Sequence, residues 1–207
     1  MKPGTSIVYK NIFFYRFLMN IIYAGNYKKR FLKIIEVIEQ ESPGSVLELC
    51  FGDTFIADYC RRKNILWQGI DINEDFAKRA RKKGFDSICS DILLVESFMK
   101  NDLCIISGSL YHFNPDQRLK LFHKMLSSSR KVLISEPIIN LSEQKGLIGF
   151  IARRSANAGK GHEHFRYNKQ SLKTALDELS NYFNFTYKIV GFIKKDIIIL
   201  LEKNGTY

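Results

Sequence analysis

From residue 45 to residue 136 the sequence alternates short apolar runs with helical segments, and this pattern restricts the fold more than any other feature. The apolar runs predict five strands at 45–50, 65–72, 85–92, 102–109 and 130–136. Between them, 55–63, 74–83 and the segment that begins at Asn114-Pro115 suit helices, and 93–100 suits a brief helix or turn. Strands that alternate with helices form right-handed crossovers, so we predict a parallel sheet with helices on both faces.

The two ends of the chain depart from this alternation. Apolar and aromatic side chains fill 6–23 and recur at helical spacing in 27–41, which predicts two helices before the sheet. After a helix that begins at Asn168, strands at 184–192 and 196–203 are too close together for a parallel crossover, so they must form an antiparallel hairpin. With 207 residues, we predict one domain: a helical extension or lid at 1–44 and a sheet at 45–203.

Charge and cysteine content bear on the partners and the cellular compartment of the protein. The formal net charge of +11 is compatible with plain solubility, and equally with attraction to nucleic acid, an anionic membrane surface or an acidic substrate. No two of the cysteines form a C-x-x-C pair, and no apolar run is long enough to span a membrane. We therefore expect a reduced, cytoplasmic protein without a structural metal site.

Polar and small residues follow the first four predicted strands. In open α/β sheets, ligands bind beyond the carboxyl ends of the strands. The candidate segments are Glu48–Thr54, Gly69–Asn73, Ser90–Ile92 and Ser107–Phe113. Asp71, about 20 residues beyond the first turn, is placed to accept ribose hydroxyls. Asp91 with Ile92 suits an adenine amino group and ring, and the small residues Ser107, Gly108 and Ser109 allow close approach.

This set of segments resembles the class I S-adenosylmethionine-dependent methyltransferases over roughly residues 45–203. That family combines an acid and G-x-G-x-G after strand one, acids at strands two and three, and a small-residue turn after strand four. The segments SLYHFNPD (109–116) and ISEPIINL (134–141) resemble a group of small bacterial methyltransferases. The resemblance implies a Rossmann-like, mostly parallel sheet closed by an antiparallel hairpin, with S-adenosyl-L-methionine as cofactor.

The resemblance also implies roles for individual residues. It assigns cofactor binding to Glu48, Cys50, Gly52, Asp53, Asp71, Ile72, Asp91, Ile92, Ser107, Gly108 and Ser109. Two positions depart from the pattern, because Cys50 and Thr54 stand where the family has its first and third glycines. A side chain at either position needs a compatible backbone conformation. Asp53 has a second interpretation as a cap of the next helix.

The catalytic assignments are more open. His112 suits a general base near the methyl acceptor, with Tyr111 beside it, or the two rings are ordinary packing. Tyr9, Tyr15 and Tyr23 suit either an active-site lid or a helix packed on the sheet. The segment 140–167 is expected to cover or contact the acceptor, and His162 and His164 within it lack the spacing of a metal site.

The expected reaction is methyl transfer to an oxygen or nitrogen of a small-molecule acceptor. One alternative is an RNA methyltransferase, which the net charge favours, although no RNA-binding module or N-P-P-Y-like segment is present. Another is a non-catalytic or membrane-surface protein on the same scaffold, favoured by the basic, aromatic N-terminal segment. A nicotinamide dehydrogenase is disfavoured because the first turn lacks G-x-G-x-x-G. The acceptor and the oligomeric state are not specified by any pattern.

Overall fold

A single mixed sheet organises the molecule, which we describe from a computed structural model at residues 12–23, 25–139 and 166–205. Its seven strands are β1 (Ser45–Leu49), β2 (Leu66–Asp71), β3 (Asp86–Cys89), β4 (Asn101–Ser107), β5 (Ser129–Pro137), β6 (Phe185–Ile193) and β7 (Asp196–Lys203). Their spatial order is β3-β2-β1-β4-β5-β7-β6. Strands β1 to β5 pair in parallel, and β7 runs antiparallel to both β5 and β6. The predicted Rossmann-like fold with an antiparallel C-terminal hairpin is confirmed.

The strand order reverses between β1 and β4. From β1 the chain moves outward through β2 to β3, then crosses back to β4 on the other side of β1. Glu48 near the end of β1 is in register with Gly69 of β2 and Ile105 of β4, so the carboxyl ends of the central strands lie side by side. A reversal of this kind opens a crevice where ligands bind.

Six α-helices flank the sheet within the described ranges: α1 (Ile12–Ile22), α2 (Tyr27–Glu41), α3 (Phe55–Arg62), α4 (Glu74–Lys82), α5 (Pro115–Ser128) and α6 (Lys169–Phe183). Asn73 caps α4, and Asn114 forms a capping box with Gln117 at the start of α5. Residues 93–100 form no helix, and a single 3₁₀ turn at Leu110–His112 follows β4.

The core lies on both faces of the sheet because neighbouring side chains of a strand point in opposite directions. On β1, Val46 joins the cluster beneath α2, α3 and α4, whereas Leu47 and Leu49 join the cluster beneath α5 and α6. Both clusters are dense with fully buried aliphatic side chains. In the part of the chain that the structure describes, no helix has the length and apolar character to cross a membrane.

Candidate functional site

Asp71 connects the first two predicted segments. The backbone N–H of Gly52 donates to Asp71 Oδ2 at 3.0 Å, and that of Asn73 donates to Oδ1 at 2.8 Å. Burial raises the pKa of Asp71 to about 6, although the two N–H donors oppose the shift. The end of β2 therefore holds the loop after β1 in place, and the carboxyl is ionised at neutral pH.

The loop after β1 turns through left-handed backbone at two positions. Cys50 has φ of +54° and Gly52 has φ of +59°, whereas Thr54 has an ordinary φ of −91°. A side chain costs energy in the left-handed region, so Cys50 is strained where a glycine would be relaxed. Thr54 is not strained, so the chain does not need a glycine there. Burial raises the pKa of the Cys50 thiol, which stays protonated.

Glu48 is a buried carboxyl beneath this loop. Its Oε2 accepts a hydrogen bond from Trp67 Nε1 at 2.9 Å, and its Oε1 has no hydrogen-bond partner among the described residues. Burial, only partly offset by the Trp67 hydrogen bond, holds the pKa of Glu48 well above its usual range. A buried polar atom without a partner is costly, so Oε1 favours a ligand or water that can form a hydrogen bond with it.

Asp53 faces α1. Arg16 donates to both of its carboxylate oxygens at 2.8 Å, and the Thr54 N–H donates to Oδ1 at 2.8 Å. Its side chain is therefore engaged in joining the first loop to the N-terminal helix, a contact that the sequence pattern did not reveal.

The third segment presents one polar and one apolar group. Asp91 Oδ1 accepts the N–H of Leu93 at 3.0 Å and so closes a turn after β3. Ile92 is almost fully buried in the core, whereas Ile72, which follows Asp71, is 41% exposed. An apolar ring bound near Asp91 would thus find exposed surface on Ile72 rather than on Ile92.

The small residues after β4 contact a buried arginine from α2. Arg30 donates to Ser107 Oγ from both Nε and Nη2, and to Tyr23 Oη from Nη1 at 2.6 Å. A Cβ added to Gly108 would lie 2.6 Å from Arg30 Nη2, so a side chain there would displace the guanidinium, and the φ of +60° also favours glycine. Ser109 is also buried there.

Sequence reasoning missed Arg30, although a signal for it exists. Arg30 falls on the same helical stripe as Tyr27, Phe31 and Ile34, all of which are buried. A cation on an otherwise apolar stripe requires polar partners inside the protein. Arg30 finds them in Ser107 and Tyr23, and in Asp196, whose Oδ2 lies 3.3 Å from Arg30 Nε.

Glu136 at the end of β5 supports the turn that carries the predicted catalytic residues. Its two carboxylate oxygens accept the N–H groups of Leu110 and Tyr111, each at 3.2 Å. Burial raises the pKa of Glu136 to about 8, against the lowering effect of those N–H donors. Glu136 thus fixes the position of Tyr111 and His112 relative to the sheet.

His112 and Tyr111 lie together at this turn, with ring centroids 4.1 Å apart. Burial, aided by the positive charge of Arg166, lowers the pKa of His112 to about 4. The imidazole is therefore neutral at physiological pH, and its Nδ1 has no hydrogen-bond partner among the described residues. A neutral imidazole can accept a hydrogen bond from a bound molecule at one ring nitrogen and donate one from the other.

Helix α1 packs against the first loop. The ring of Tyr15 packs against Phe76 and Tyr27, and a Cβ added to Gly52 would lie 3.0 Å from Tyr15 Oη. Burial raises the pKa of Tyr15 to about 12. Tyr9 and most of the segment 140–167, including His162 and His164, lie outside the described residues. Within 12–23, 25–139 and 166–205, no group of His, Cys, Asp or Glu has the geometry of a metal site.

The fold matches solved structures of methyltransferases. The plantazolicin methyltransferase BpumL, solved in complex with a monoazolic desmethylPZN analog and SAH, superposes with a TM-score of 0.65 at 16% identity, over 90% of this chain and 86% of that one. The methyltransferase domain of bacterial CtHen1 gives 0.64 at 11% identity, over 83% and 95%. A SAM-dependent methyltransferase from Archaeoglobus fulgidus gives 0.62 at 18% identity, over 91% and 100%.

The chain has the methyltransferase fold. No protein-family model matches the sequence, and no curated protein matches it either. At these low identities the structural likeness establishes the fold alone. Within the methyltransferase fold, the crevice at the reversal between β1 and β4 is the place where Gly52, Asp71 and Ser107–Ser109 come together.

Proposed function

We propose that this protein is a methyltransferase that binds S-adenosyl-L-methionine and methylates an oxygen or nitrogen of a small-molecule acceptor. The observation that carries the proposal is the closure of the Gly52 loop onto Asp71 beside Ser107–Ser109, at the strand-order reversal. Solved methyltransferases of the same fold include complexes with SAH. The free cysteines suit the reducing environment of the bacterial cytoplasm, where we place the enzyme.

The groups in the crevice fit the cofactor. Each oxygen of Asp71 accepts one backbone N–H and keeps a lone pair for a ribose hydroxyl. The exposed face of Ile72 and the turn at Asp91 suit the adenine. Glu48 Oε1, buried and without a hydrogen-bond partner among the described residues, offers a hydrogen-bonding group near the first loop.

Arg30 is our candidate for the carboxylate of the cofactor's methionine portion. A guanidinium has five N–H donors, and the contacts of Arg30 with Ser107 and Tyr23 use three of them. The guanidinium lies against Gly108, where the small-residue turn permits close approach. A buried cation with spare donors at the expected methionine end suits a carboxylate.

When bound, S-adenosyl-L-methionine supplies a methyl group on a positively charged sulfur. The residues around it then need only to position the acceptor and exclude water. Tyr15 and Arg16 place α1 over the first loop, which limits access of water. His112 is neutral and close to Tyr111, so it is suited to orient the acceptor by a hydrogen bond.

An RNA acceptor is the rival function, favoured by the net charge of +11. An rRNA methylase from Escherichia coli also superposes on this chain, with a TM-score of 0.56 at 17% identity over 86% of this chain and 65% of that one. Binding of RNA would weaken steeply with added salt, whereas binding of a small acceptor would not.

The acceptor can be searched for directly. Purified protein is incubated with isotopically labelled S-adenosyl-L-methionine and either a small-molecule extract or total RNA, and labelled products are separated by mass spectrometry. We expect label in a small molecule with the wild type and none with Asp71→Ala. Label found only in RNA would support the rival function, and no label in either fraction would contradict methyl transfer.

A further inference from the structure

Helix α1 has two faces with different surroundings. Its inner face carries Tyr15 and Arg16, which contact the first loop at Gly52 and Asp53. Its outer face exposes large apolar side chains to solvent: Phe13 is 78% exposed, Phe14 61%, Phe17 65% and Ile21 39%. One short helix therefore covers the candidate site and also presents an apolar, aromatic surface outward.

Several large apolar side chains together are unusual on a solvent-exposed helix face. Scattered exposed apolar residues are normal, but several on one stripe of one helix mark an interaction site. Phe13, Phe17 and Ile21 are spaced by four residues, so they lie in a row, and Phe14 lies beside them. With 11 residues, α1 is far too short to cross a bilayer, so a lipid contact would be along the surface.

The charges in the first 35 residues of the sequence have one sign. No Asp or Glu occurs before Glu36, so every charged side chain in that part of the sequence is Lys or Arg. Lys28 and Lys29, in the first turn of α2 directly after α1, are exposed and form no ion pair with the described residues. Aromatic side chains next to unpaired cations are the composition of helices that bind anionic lipid surfaces.

We propose that the outer face of α1, together with Lys28 and Lys29, docks on an anionic lipid surface. The charge argues for lipid over a second copy of this chain, because two copies would bring the same basic segments together. Docking would place the lid, and with it the entrance to the candidate site, at the membrane surface. The proposal does not depend on the cofactor or on the acceptor.

Vesicle sedimentation of the full chain tests this surface. The probes are vesicles of phosphatidylcholine alone and of phosphatidylcholine with phosphatidylglycerol, without cofactor, at low and high salt. We expect binding to the anionic vesicles, weakened by salt, and little binding to the neutral ones. The double variant Phe14→Ser/Phe17→Ser should lower the partition coefficient about tenfold or more, because it removes apolar area that enters the interface.

Two further variants sharpen the test. Lys28→Glu/Lys29→Glu should lower binding to anionic vesicles about tenfold or more while leaving any binding to neutral vesicles unchanged. The control is Tyr182→Ser on α6, an aromatic residue that is 72% exposed but far along the chain from α1, and it should bind like the wild type. Circular dichroism checks that each variant is folded.

Three results would overturn the proposal. They are no binding of the wild type to anionic vesicles, equal loss of binding for Tyr182→Ser and for the Phe14/Phe17 variant, or a wild-type dimer in light scattering that Phe14→Ser/Phe17→Ser abolishes. The last result would mean that a second copy covers the face. Because no cofactor is present, a failure here leaves the methyltransferase proposal intact.

Discussion

Arg16 and Asp53 form a bidentate ion pair between helix α1 and the loop after β1. Nε and Nη2 of the arginine each donate to one carboxylate oxygen at 2.8 Å. Arg16 also lies over the ring of Phe55, 4.9 Å from its centroid, so its position is fixed from two sides. Paired geometry of this kind is stronger than an ordinary surface ion pair. The pair joins helix α1 to the loop after β1.

Loss of this pair should speed cofactor release. We expect Arg16→Ala to raise the dissociation rate of SAH about fivefold or more, because α1 opens more often without the ion pair. Stopped-flow fluorescence can follow the process, since the single tryptophan, Trp67, donates to Glu48 beneath the loop. Lys173→Ala, which removes an exposed ion pair with Asp177 within α6, is the control and should leave the rate unchanged. Identical rates for Arg16→Ala and the wild type would mean that α1 does not gate the site.

Glycine usually lowers stability relative to alanine, and the left-handed backbone at Cys50 predicts the opposite at that position. At position 50 we expect Cys50→Gly to be more stable than Cys50→Ala by about 1 kcal/mol, because a Cβ is strained at positive φ. At position 78, an exposed site inside α4 with ordinary helical backbone, Lys78→Ala should be more stable than Lys78→Gly by about 0.5–1 kcal/mol. Urea unfolding of the four variants measures both differences. The same sign at both positions would show that the loop does not have this conformation in solution.

The raised pKa of Asp71 predicts how cofactor affinity depends on pH. Because the pKa is about 6, the carboxyl is ionised at pH 7.5 and mostly protonated at pH 5. The ionised form is the better acceptor for ribose hydroxyls, so the affinity for SAH should fall about tenfold over that range. Asp71→Asn should bind more weakly at pH 7.5 and lose this dependence on pH. An unchanged pH profile in Asp71→Asn would assign the titration to another group.

Glu136 should make the protein less stable as pH rises. Its pKa is about 8 in the folded state and near its usual 4.5 when unfolded, so both states hold the proton below pH 4.5. Between those values the unfolded state loses the proton first. The free energy of unfolding therefore falls with rising pH, by up to about 1.4 kcal/mol per pH unit. This stabilising contribution is fully present below pH 4.5 and is lost as pH rises through 8.

Urea unfolding of the wild type and Glu136→Gln across pH 5 to 8 checks this contribution. The variant removes the titrating group, so the difference in free energy of unfolding between wild type and variant should change with pH. Any difference that is the same at every pH reflects the substitution itself and does not bear on the titration. Glu96→Gln, at an exposed carboxylate, is the control and should run parallel to the wild type. If the free energy of unfolding of Glu136→Gln also changes with pH just as that of the wild type does, Glu136 is ionised in the folded protein.

The sequence predicted the sheet well because its signals are local. Apolar runs, the caps at Asn73 and Asn114, and the short connection between the last two strands each report on neighbouring residues. The predicted strand at 85–92 was too long, since β3 ends at Cys89 and Asp91 closes a turn. The brief helix considered for 93–100 is absent. The residue at which a strand or helix ends depends on such turns, and the pattern of apolar residues does not predict them.

The candidate site was predictable only in part. The positions of Gly52, Asp71 and Ser107 follow from strand ends, and the structure places those ends on adjacent strands. The partners of Asp53 and Ser107 could not be predicted, because Arg16 and Arg30 reach them across 37 and 77 residues of sequence. Such contacts depend on how α1 and α2 pack on the sheet. The roles of Tyr111 and His112 stay predictions.

Calorimetric titration with SAH tests the central claim most directly. The wild type should bind one molecule per chain with measurable heat, and Asp71→Ala should bind at least about tenfold more weakly, because the ribose loses hydrogen bonds to a charged acceptor. Lys173→Ala, which removes an exposed ion pair with Asp177 within α6, should bind like the wild type. Absence of any heat or saturation with the folded wild type, for SAH and for S-adenosyl-L-methionine alike, would contradict the account.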